Sequence, residues 1–292
     1  MTTLHLAPLQ GYTDAEYRRA FADIFGVPDA MYTPFLRVEK GVPAARTLRD
    51  IDSAQNDGLP VIPQIIFRNA DEFDLLTDTL KERGHRRIDL NLGCPFPPVA
   101  GKGMGSGMLA HPDVFEAVAQ RIEADSEVEY SVKMRVGYDS PDQWKPILDI
   151  LNVLPLVHIS VHPRTARQQY RGDLHLDAFE ALLAASKYPV IFNGEIHTPA
   201  DISQIMDKYP TLGGIMVGRG VLARPTLFSE WRSGKELSEE ERMAALMRLF
   251  ERYRTLITPR LCGKSQIEAK LRPFWDYPEV PHKNKFLKSL LS

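Results

Sequence analysis

Cys94 is the residue best placed to do chemistry. It sits in Asn91-Leu92-Gly93-Cys94-Pro95, and Pro97, Pro98, Gly101, Gly103, Gly105 and Gly107 follow closely. Proline removes a backbone donor and glycine loosens the chain, so no helix or strand is expected here. The expectation is a long flexible loop of the kind that forms a lid. A thiol on such a loop can act as nucleophile or as proton donor. With an ordinary thiol pKa of about 8.5 the protonated form dominates near neutral pH, which suits a donor. The plainer reading, a buried inert thiol, fits Cys262 better, with Leu261 beside it.

What positions these residues is a repeating strand–helix rhythm. Eight short apolar runs recur, at 4–8, 30–34, 61–66, 88–91, 130–135, 157–162, 190–193 and 214–218. Amphipathic stretches lie between them, among them 71–83, 112–124, 144–151, 176–185 and 200–208, with Asp71, Asp113 and Asp201 where helix-start acids belong. Strands alternating with helices imply parallel βα units, and eight of them close into a (β/α)₈ TIM barrel. The 292 residues suit such a barrel plus a short extra module.

Active sites of these barrels lie at the C-terminal ends of the strands. Those ends carry Pro8-Leu9-Gln10, Gln64, Asn91 with Cys94, Lys133 with Arg135, His162 with Arg164, Asn193-Gly194-Glu195 and Gly218-Arg219-Gly220. A purely structural core would place apolar side chains there. The last two segments read as phosphate-binding turns, small residues for close backbone approach and one guanidinium for charge. The alternative is two glycine turns needed for barrel closure. Lys133 stands in a β-type run, where an unpaired buried ammonium is costly. It fits a Schiff-base lysine, a cation facing the electron-rich edge of a flavin, or a structural ion pair. His158 reads as an interior or packing histidine, and His162, at the strand end, as the better ligand.

After Gly220 the pattern changes. Pro225 and Ser233-Gly234-Lys235 mark a boundary, giving residues 1–234 as barrel and 235–292 as a small helical domain. Ser238 and Glu241 form a capping box for a helix through Met243, Leu246, Met247 and Phe250. Further helices are expected over 265–275 and 283–291. From Arg242 onward there are 11 Lys/Arg against 4 Asp/Glu, although the whole chain carries −2. A basic tail on an acidic body points to one polyanion-facing surface, or else to a solvated helical face. Two cysteines give no disulfide framework, and no metal-type Cys/His spacing is present. There is no signal-like start and no run of about 18 apolar residues, so a cytoplasmic chain without a membrane span is expected.

Six segments together resemble the tRNA-dihydrouridine synthases of bacterial type. They are Leu6-Ala7-Pro8-Leu9-Gln10-Gly11-Tyr12-Thr13-Asp14, Asp89-Leu90-Asn91-Leu92-Gly93-Cys94-Pro95, Val132-Lys133-Met134-Arg135-Val136-Gly137, His162-Pro163-Arg164-Thr165-Ala166, Asn193-Gly194-Glu195-Ile196 and Met216-Val217-Gly218-Arg219-Gly220. The resemblance runs in order across the barrel. It implies bound FMN, a helical C-terminal domain, and NADPH-driven reduction of the uridine C5–C6 bond in tRNA. It implies Pro8, Leu9, Gln10 and Gln64 against the flavin, with Lys133 and His162 on its ring system. It gives Asn193, Gly194, Glu195, Gly218 and Arg219 to the ribityl chain and phosphate. Asn91, with Arg135 and Arg164, is implied at the substrate, and Cys94 as donor of a proton to C5. Four departures are Pro34, where relatives often carry an acid, Pro163, where glycine is usual, the looser Gly105-Ser106-Gly107-Met108 ending of the cysteine loop, and a tail shorter than many relatives' helical domains.

Two competing readings accompany this one. A flavin barrel reducing a free pyrimidine or other small molecule has no need of the basic tail. A barrel that only holds RNA has no need of Cys94 together with flavin contacts and phosphate turns. A monomer is expected, because tRNA needs an open face.

Overall fold

The structure is a computed structural model that describes residues 2–280 together with Lys283, Leu287 and Leu290. Eight parallel barrel strands run in chain order: β1 Thr3–Leu6, β2 Ala30–Tyr32, β3 in two pieces at Val61–Ile62 and Gln64–Ile65, β4 Arg87–Leu92, β5 Glu129–Gly137, β6 Leu156–Thr165, β7 Val190–Phe192 and β8 Gly214–Val217. The third strand is divided at Pro63, which has no N–H to give to a ladder. Its first piece pairs with β2 and its second with β4, so the ring closes through it. A small antiparallel hairpin, Val38–Glu39 with Val42–Pro43, stands outside the barrel and has no counterpart in the expected pattern.

Alternation along the strands sorts side chains into two layers. Leu4, Leu6, Ile88, Leu90, Val132, Met134, Ile159 and Val161 join the large core beneath the helices. A separate small cluster, Ala7, Ala30, Tyr32, Ile62, Ile191 and Met216, fills the barrel interior. Polar groups share that interior and find partners there. The Tyr32 hydroxyl lies 3.0 Å from His5 Nδ1 and 2.9 Å from His158 Nε2. His158 is thus the interior histidine that its place in the strand indicated, and burial holds it neutral at a pKa of about 3.

Some helices start on a side-chain cap and others, such as the one after Ala44, do not. The helices α1 Ala15–Phe25 and α2 Ala45–Ile51 precede α3 Ala70–Glu82, and Asp14 and Asn69 cap α1 and α3 through their side chains. Four residues of the cysteine loop, Pro97–Ala100, form a helical turn, and Gly105–Ala110 forms a 3₁₀ turn. The expectation of a loop without helix is therefore corrected. Nor is its ending loose: a Cβ on Gly107 would meet the Ala100 carbonyl oxygen at 2.1 Å.

Beyond the barrel, the helix Leu227–Ser233 ends on Gly234, left-handed at φ 66°. The helix Glu239–Ile257 opens with the Ser238/Glu241 capping box, and Lys264–Leu271 continues into a 3₁₀ turn at Arg272–Trp275. The helix expected over 283–291 lies mostly outside the described residues; Lys283, Leu287 and Leu290 are helical, and Leu287 is buried in the main core. The tail packs on α1. Tyr17 lies 6.1 Å from Tyr253 and 6.3 Å from Phe274, ring to ring. Three tail cations, Arg252, Arg260 and Lys270, pair with Asp23, Glu16 and Asp14 around α1. Part of the tail's positive charge thus faces the barrel rather than solvent. Cys262 is exposed, which corrects its reading as a buried thiol. Among the described residues no helix is long and apolar enough to cross a membrane.

Candidate active site

Strand register assembles the site. The parallel ladders set Gln64 beside Asp89, Asn91 beside Lys133, and Arg135 beside His162. Of these, Gln64, Asn91, Lys133, Arg135 and His162 line one cleft of about 340 Å³ at the C-terminal ends of the strands, a volume suited to a small organic group.

Cys94 reaches this cleft from the turn after β4, and its chain is held on both sides. The Asn91 side-chain oxygen accepts from the backbone N–H groups of Gly93 at 3.0 Å and Cys94 at 2.8 Å. The Ser106 hydroxyl donates to the Cys94 carbonyl at 2.7 Å. Gly105, at φ 57°, lies so close that a Cβ there would meet the Cys94 Cβ at 2.9 Å. Burial pushes the Cys94 thiol up from its usual pKa; the backbone N–H of Phe96 and the charges of Arg135 and Lys133 oppose this without reversing it. The thiol therefore carries its proton at neutral pH.

Two groups in the cleft lack protein partners. His162 Nε2 is buried and makes no hydrogen bond, and burial together with Arg135 and Lys133 keeps the imidazole neutral. Lys133 Nζ makes no hydrogen bond or ion pair among the described residues. Burial, reinforced by Arg135, brings its pKa down to about 8, with Asp89 and Cys94 opposing. A buried polar group left unpaired is uncommon in native proteins, so His162 is positioned for a polar molecule, and the half-buried Lys133 faces the same cleft.

A charge cluster forms the far wall. Glu195 pairs with Arg164, with Arg219 at 2.9 Å and with His197 at 3.0 Å. Burial alone would raise its carboxyl; the hydrogen bonds from Arg164 and His197 and the Arg219 charge overcome this and hold it at about 2. The Arg219 guanidinium stacks 4.2 Å from the centre of the Tyr170 ring. Gly220 is fixed by packing, since a Cβ would meet the Ile196 carbonyl at 1.8 Å. At Gly218 a Cβ would make only ordinary contacts, 3.4 Å and longer. The closure reading of these glycines therefore holds for Gly220 and leaves Gly218 without such a reason.

Of the residues singled out from the sequence, Pro8, Leu9, Gln10, Gln64, Asn91, Cys94, Lys133, Arg135, His162, Asn193, Gly194, Glu195, Gly218 and Arg219 all line the cleft. Arg164 does not. It is 5% exposed and donates to the Gly172 carbonyl at 2.8 and 3.1 Å while holding Glu195. It stands behind the wall, with Glu195 between it and Arg219. Asn91 reaches the cleft, but its oxygen is already committed to the chain of Gly93 and Cys94. Sequence reasoning missed Tyr12, Phe96, Tyr170 and Tyr277 in the lining. Tyr12 stood inside a segment already singled out, and Phe96 follows another directly, in the cysteine loop. Tyr277 comes from the tail, where its ring meets that of Tyr12 at 5.1 Å, and no local signal marks it.

The chain is similar to known proteins in sequence and in fold. Over 261 residues the chain is 29% identical to a probable tRNA-dihydrouridine synthase of Staphylococcus epidermidis, covering 85% of this chain and 78% of that protein. Probable tRNA-dihydrouridine synthase 2 of Bacillus subtilis is 29% identical over 251 residues, covering 84% and 75%. Among solved structures, morphinone reductase in complex with tetrahydroNAD superposes with a TM-score of 0.53 at 11% identity, covering 81% of this chain and 88% of that one. A variant of NCR from Zymomonas mobilis gives 0.52 at 13% identity over 81% and 88%. At such identities these structures share the fold alone. The model of one family, described as dihydrouridine synthase, matches residues 5–287, nearly the whole chain, and this chain belongs to that family.

Proposed function

We propose that the chain is an FMN-dependent tRNA-dihydrouridine synthase that reduces the C5–C6 bond of uridines in tRNA with NADPH. The observation that carries the reading is a protonated thiol, Cys94, in the same cleft as Lys133 and His162, whose polar atoms lack protein partners. A flavin ring bears carbonyl and nitrogen atoms able to take both, so the residues present fit that group. Lys133 and His162 would hold its ring system, with Pro8, Leu9, Gln10 and Gln64 against it. Asn193, Gly194, Glu195, Gly218 and Arg219 would hold its ribityl chain and phosphate. When bound, the flavin supplies the hydride.

The chain's own residues do the rest. Hydride arriving at uracil C6 builds negative charge toward C5 and O4, so an acid is needed at C5. Cys94 Sγ gives up its proton there; the resulting thiolate faces the charges of Arg135 and Lys133 until solvent returns a proton. Arg135 is anchored to the Gly93 and Thr165 carbonyls at 2.9 Å each and keeps its charge beside the thiol. The base must leave its stack, which costs a few kcal/mol in structured RNA. Tail cations not engaged with α1 are the candidates to offset that cost on the phosphate backbone. The reading takes residues 1–234 as the catalytic barrel and 235–292 as the RNA-binding part, in a cytoplasmic monomer without metal.

The test is mass spectrometry of nuclease fragments after incubating unmodified tRNA with flavin-loaded protein and NADPH. Some uridine fragment is expected to gain two hydrogens. Absence of any such gain sinks the proposal. With Cys94→Ala, flavin binding and NADPH oxidation should persist while the gain disappears.

A further inference from the structure

Beneath the thiol runs a chain of hydrogen bonds whose direction is set at its buried end. Asp89 is 0% exposed, on β4 in the barrel interior. Its carboxylate accepts from Gln64 Nε2 at 2.7 Å and from the Ser131 hydroxyl at 2.6 Å. The Gln64 carbonyl oxygen accepts from Asn91 Nδ2 at 2.7 Å. The Asn91 oxygen then accepts from Gly93 N and Cys94 N.

We propose that Asp89 is a positioning residue for Cys94: by fixing which way the Gln64 and Asn91 amides face, it locks the thiol-bearing turn over the cleft. An ionised carboxylate only accepts, so Gln64 must turn its NH₂ toward Asp89 and its oxygen toward Asn91. That leaves Asn91 one orientation, NH₂ toward Gln64 and oxygen toward the turn. Were both amides reversed, the Asn91 NH₂ would face two backbone N–H donors and the turn would lose both bonds. Burial raises the Asp89 carboxyl to about 6, still below neutral pH, so the acceptor form prevails there. The role rests on the reading of Cys94 as the working acid, but the lock itself is a property of the turn and can be measured without RNA.

The argument makes a specific claim about substitutions. In Asp89→Asn the new amide can keep its oxygen toward Gln64 if it donates its NH₂ to the Ser131 oxygen, so the chain keeps its direction. In Asp89→Asn with Ser131→Ala that NH₂ has no acceptor, and either orientation leaves a buried group unpaired. The readout is the rate at which iodoacetamide alkylates Cys94, followed by peptide mass spectrometry. Ser131→Ala alone and Asp89→Asn alone should each stay within about threefold of the parent rate, and the double variant should exceed it by about tenfold or more. Thermal melting and bound flavin identify any variant that fails to fold. Asp89→Leu, which removes the acceptor outright, should resemble the double variant. Merely additive effects in the double variant, or an Asp89→Asn rate as fast as that of Asp89→Leu, overturn the proposal. Because alkylation is read without tRNA, an inactive enzyme with the expected alkylation pattern would count against the substrate and not against the lock.

Discussion

The Tyr253 hydroxyl donates to the Asp14 carboxylate at 3.1 Å, joining the first long tail helix to the cap of α1. The same carboxylate accepts from the backbone N–H of Tyr17 at 3.0 Å and pairs with Lys270. One acid thus starts a barrel helix and anchors two tail helices, just after the segment Pro8-Leu9-Gln10 that lines the cleft. Asp14→Ala removes the cap and strands a buried hydroxyl. The expected loss is about 2 kcal/mol or more of unfolding free energy in a denaturant titration. Asp14→Asn keeps an oxygen for the cap and should lose less than about 1 kcal/mol. Equal stability of the alanine variant and the parent would mean that the tail is docked by other contacts.

Lys133 sets a pH limit. Its pKa falls from 10.5 to about 8, while the Cys94 thiol is pushed up. Rising pH therefore removes the lysine charge first and the thiol proton later. Flavin affinity should decline as pH passes through about 8, because the cation facing the ring is lost there. Lys133→Met should bind more weakly at pH 7 and show no further decline at 8. The linkage to folding has the opposite sign. Between about 8 and 10.5 the unfolded lysine binds a proton that the folded one does not, so this group's contribution to stability rises with pH. Titrating the flavin dissociation constant from pH 6 to 9 separates these effects, and a flat parent profile would remove Lys133 from the flavin site.

The barrel was legible because its signal is periodic: each strand is an apolar run, and several helices begin on a capping side chain, Asp14, Asn69 and Thr198 among them. The cysteine loop was not. Glycine and proline content alone does not separate a floppy segment from one folded tightly against its neighbours, and here Gly105 and Gly107 are glycines because Cys94 and Ala100 stand against them. The tail's charge was legible as a count but not as a direction. Only the fold reveals that Arg252, Arg260 and Lys270 face α1. Tyr170 follows Gln169, which adopts a left-handed φ of 53°, and it reaches the cleft to meet Arg219 from a loop beyond the strand end. Nothing in a strand-end reading points to it.

Arg164 should act through Glu195. In the parent, Glu195 stays ionised down to about 2, so its pairing with Arg219 persists at every working pH. Arg164→Met removes one of the three hydrogen bonds made to this carboxyl, together with a facing charge, and leaves burial to push it up. Its pKa should move toward the ordinary value of 4.5 or above it. Flavin binding should then weaken more at pH 5 than at pH 7, by about tenfold between them, while the parent changes little. Fluorescence titration of FMN at the two pH values reads this. A variant that loses tRNA affinity and keeps flavin affinity would return Arg164 to the substrate.

The proposed division at residue 234 marks a change of role, and the packing predicts that it is not a boundary in stability. Phe250 is fully buried, 5.3 Å from Phe274 and 5.1 Å from Trp275, ring to ring. It belongs to the same continuous core as Tyr17 and Phe21 of α1. Phe250→Ala should therefore cost about 3–5 kcal/mol, the usual loss for a large core aromatic. That loss should appear as an earlier midpoint of a single transition, because the tail cannot open without exposing the apolar face of α1. With Trp144 and Trp231 replaced by Phe in both proteins, fluorescence of Trp275 reports the tail, and near-ultraviolet dichroism, to which eight of the ten tyrosines contribute from residues 1–234, reports the barrel. Coincident curves are expected in parent and variant. A separate early transition in the variant, with the barrel signal unchanged, would mean that residues 235–292 fold as an independent unit and that the shared core holds nothing together.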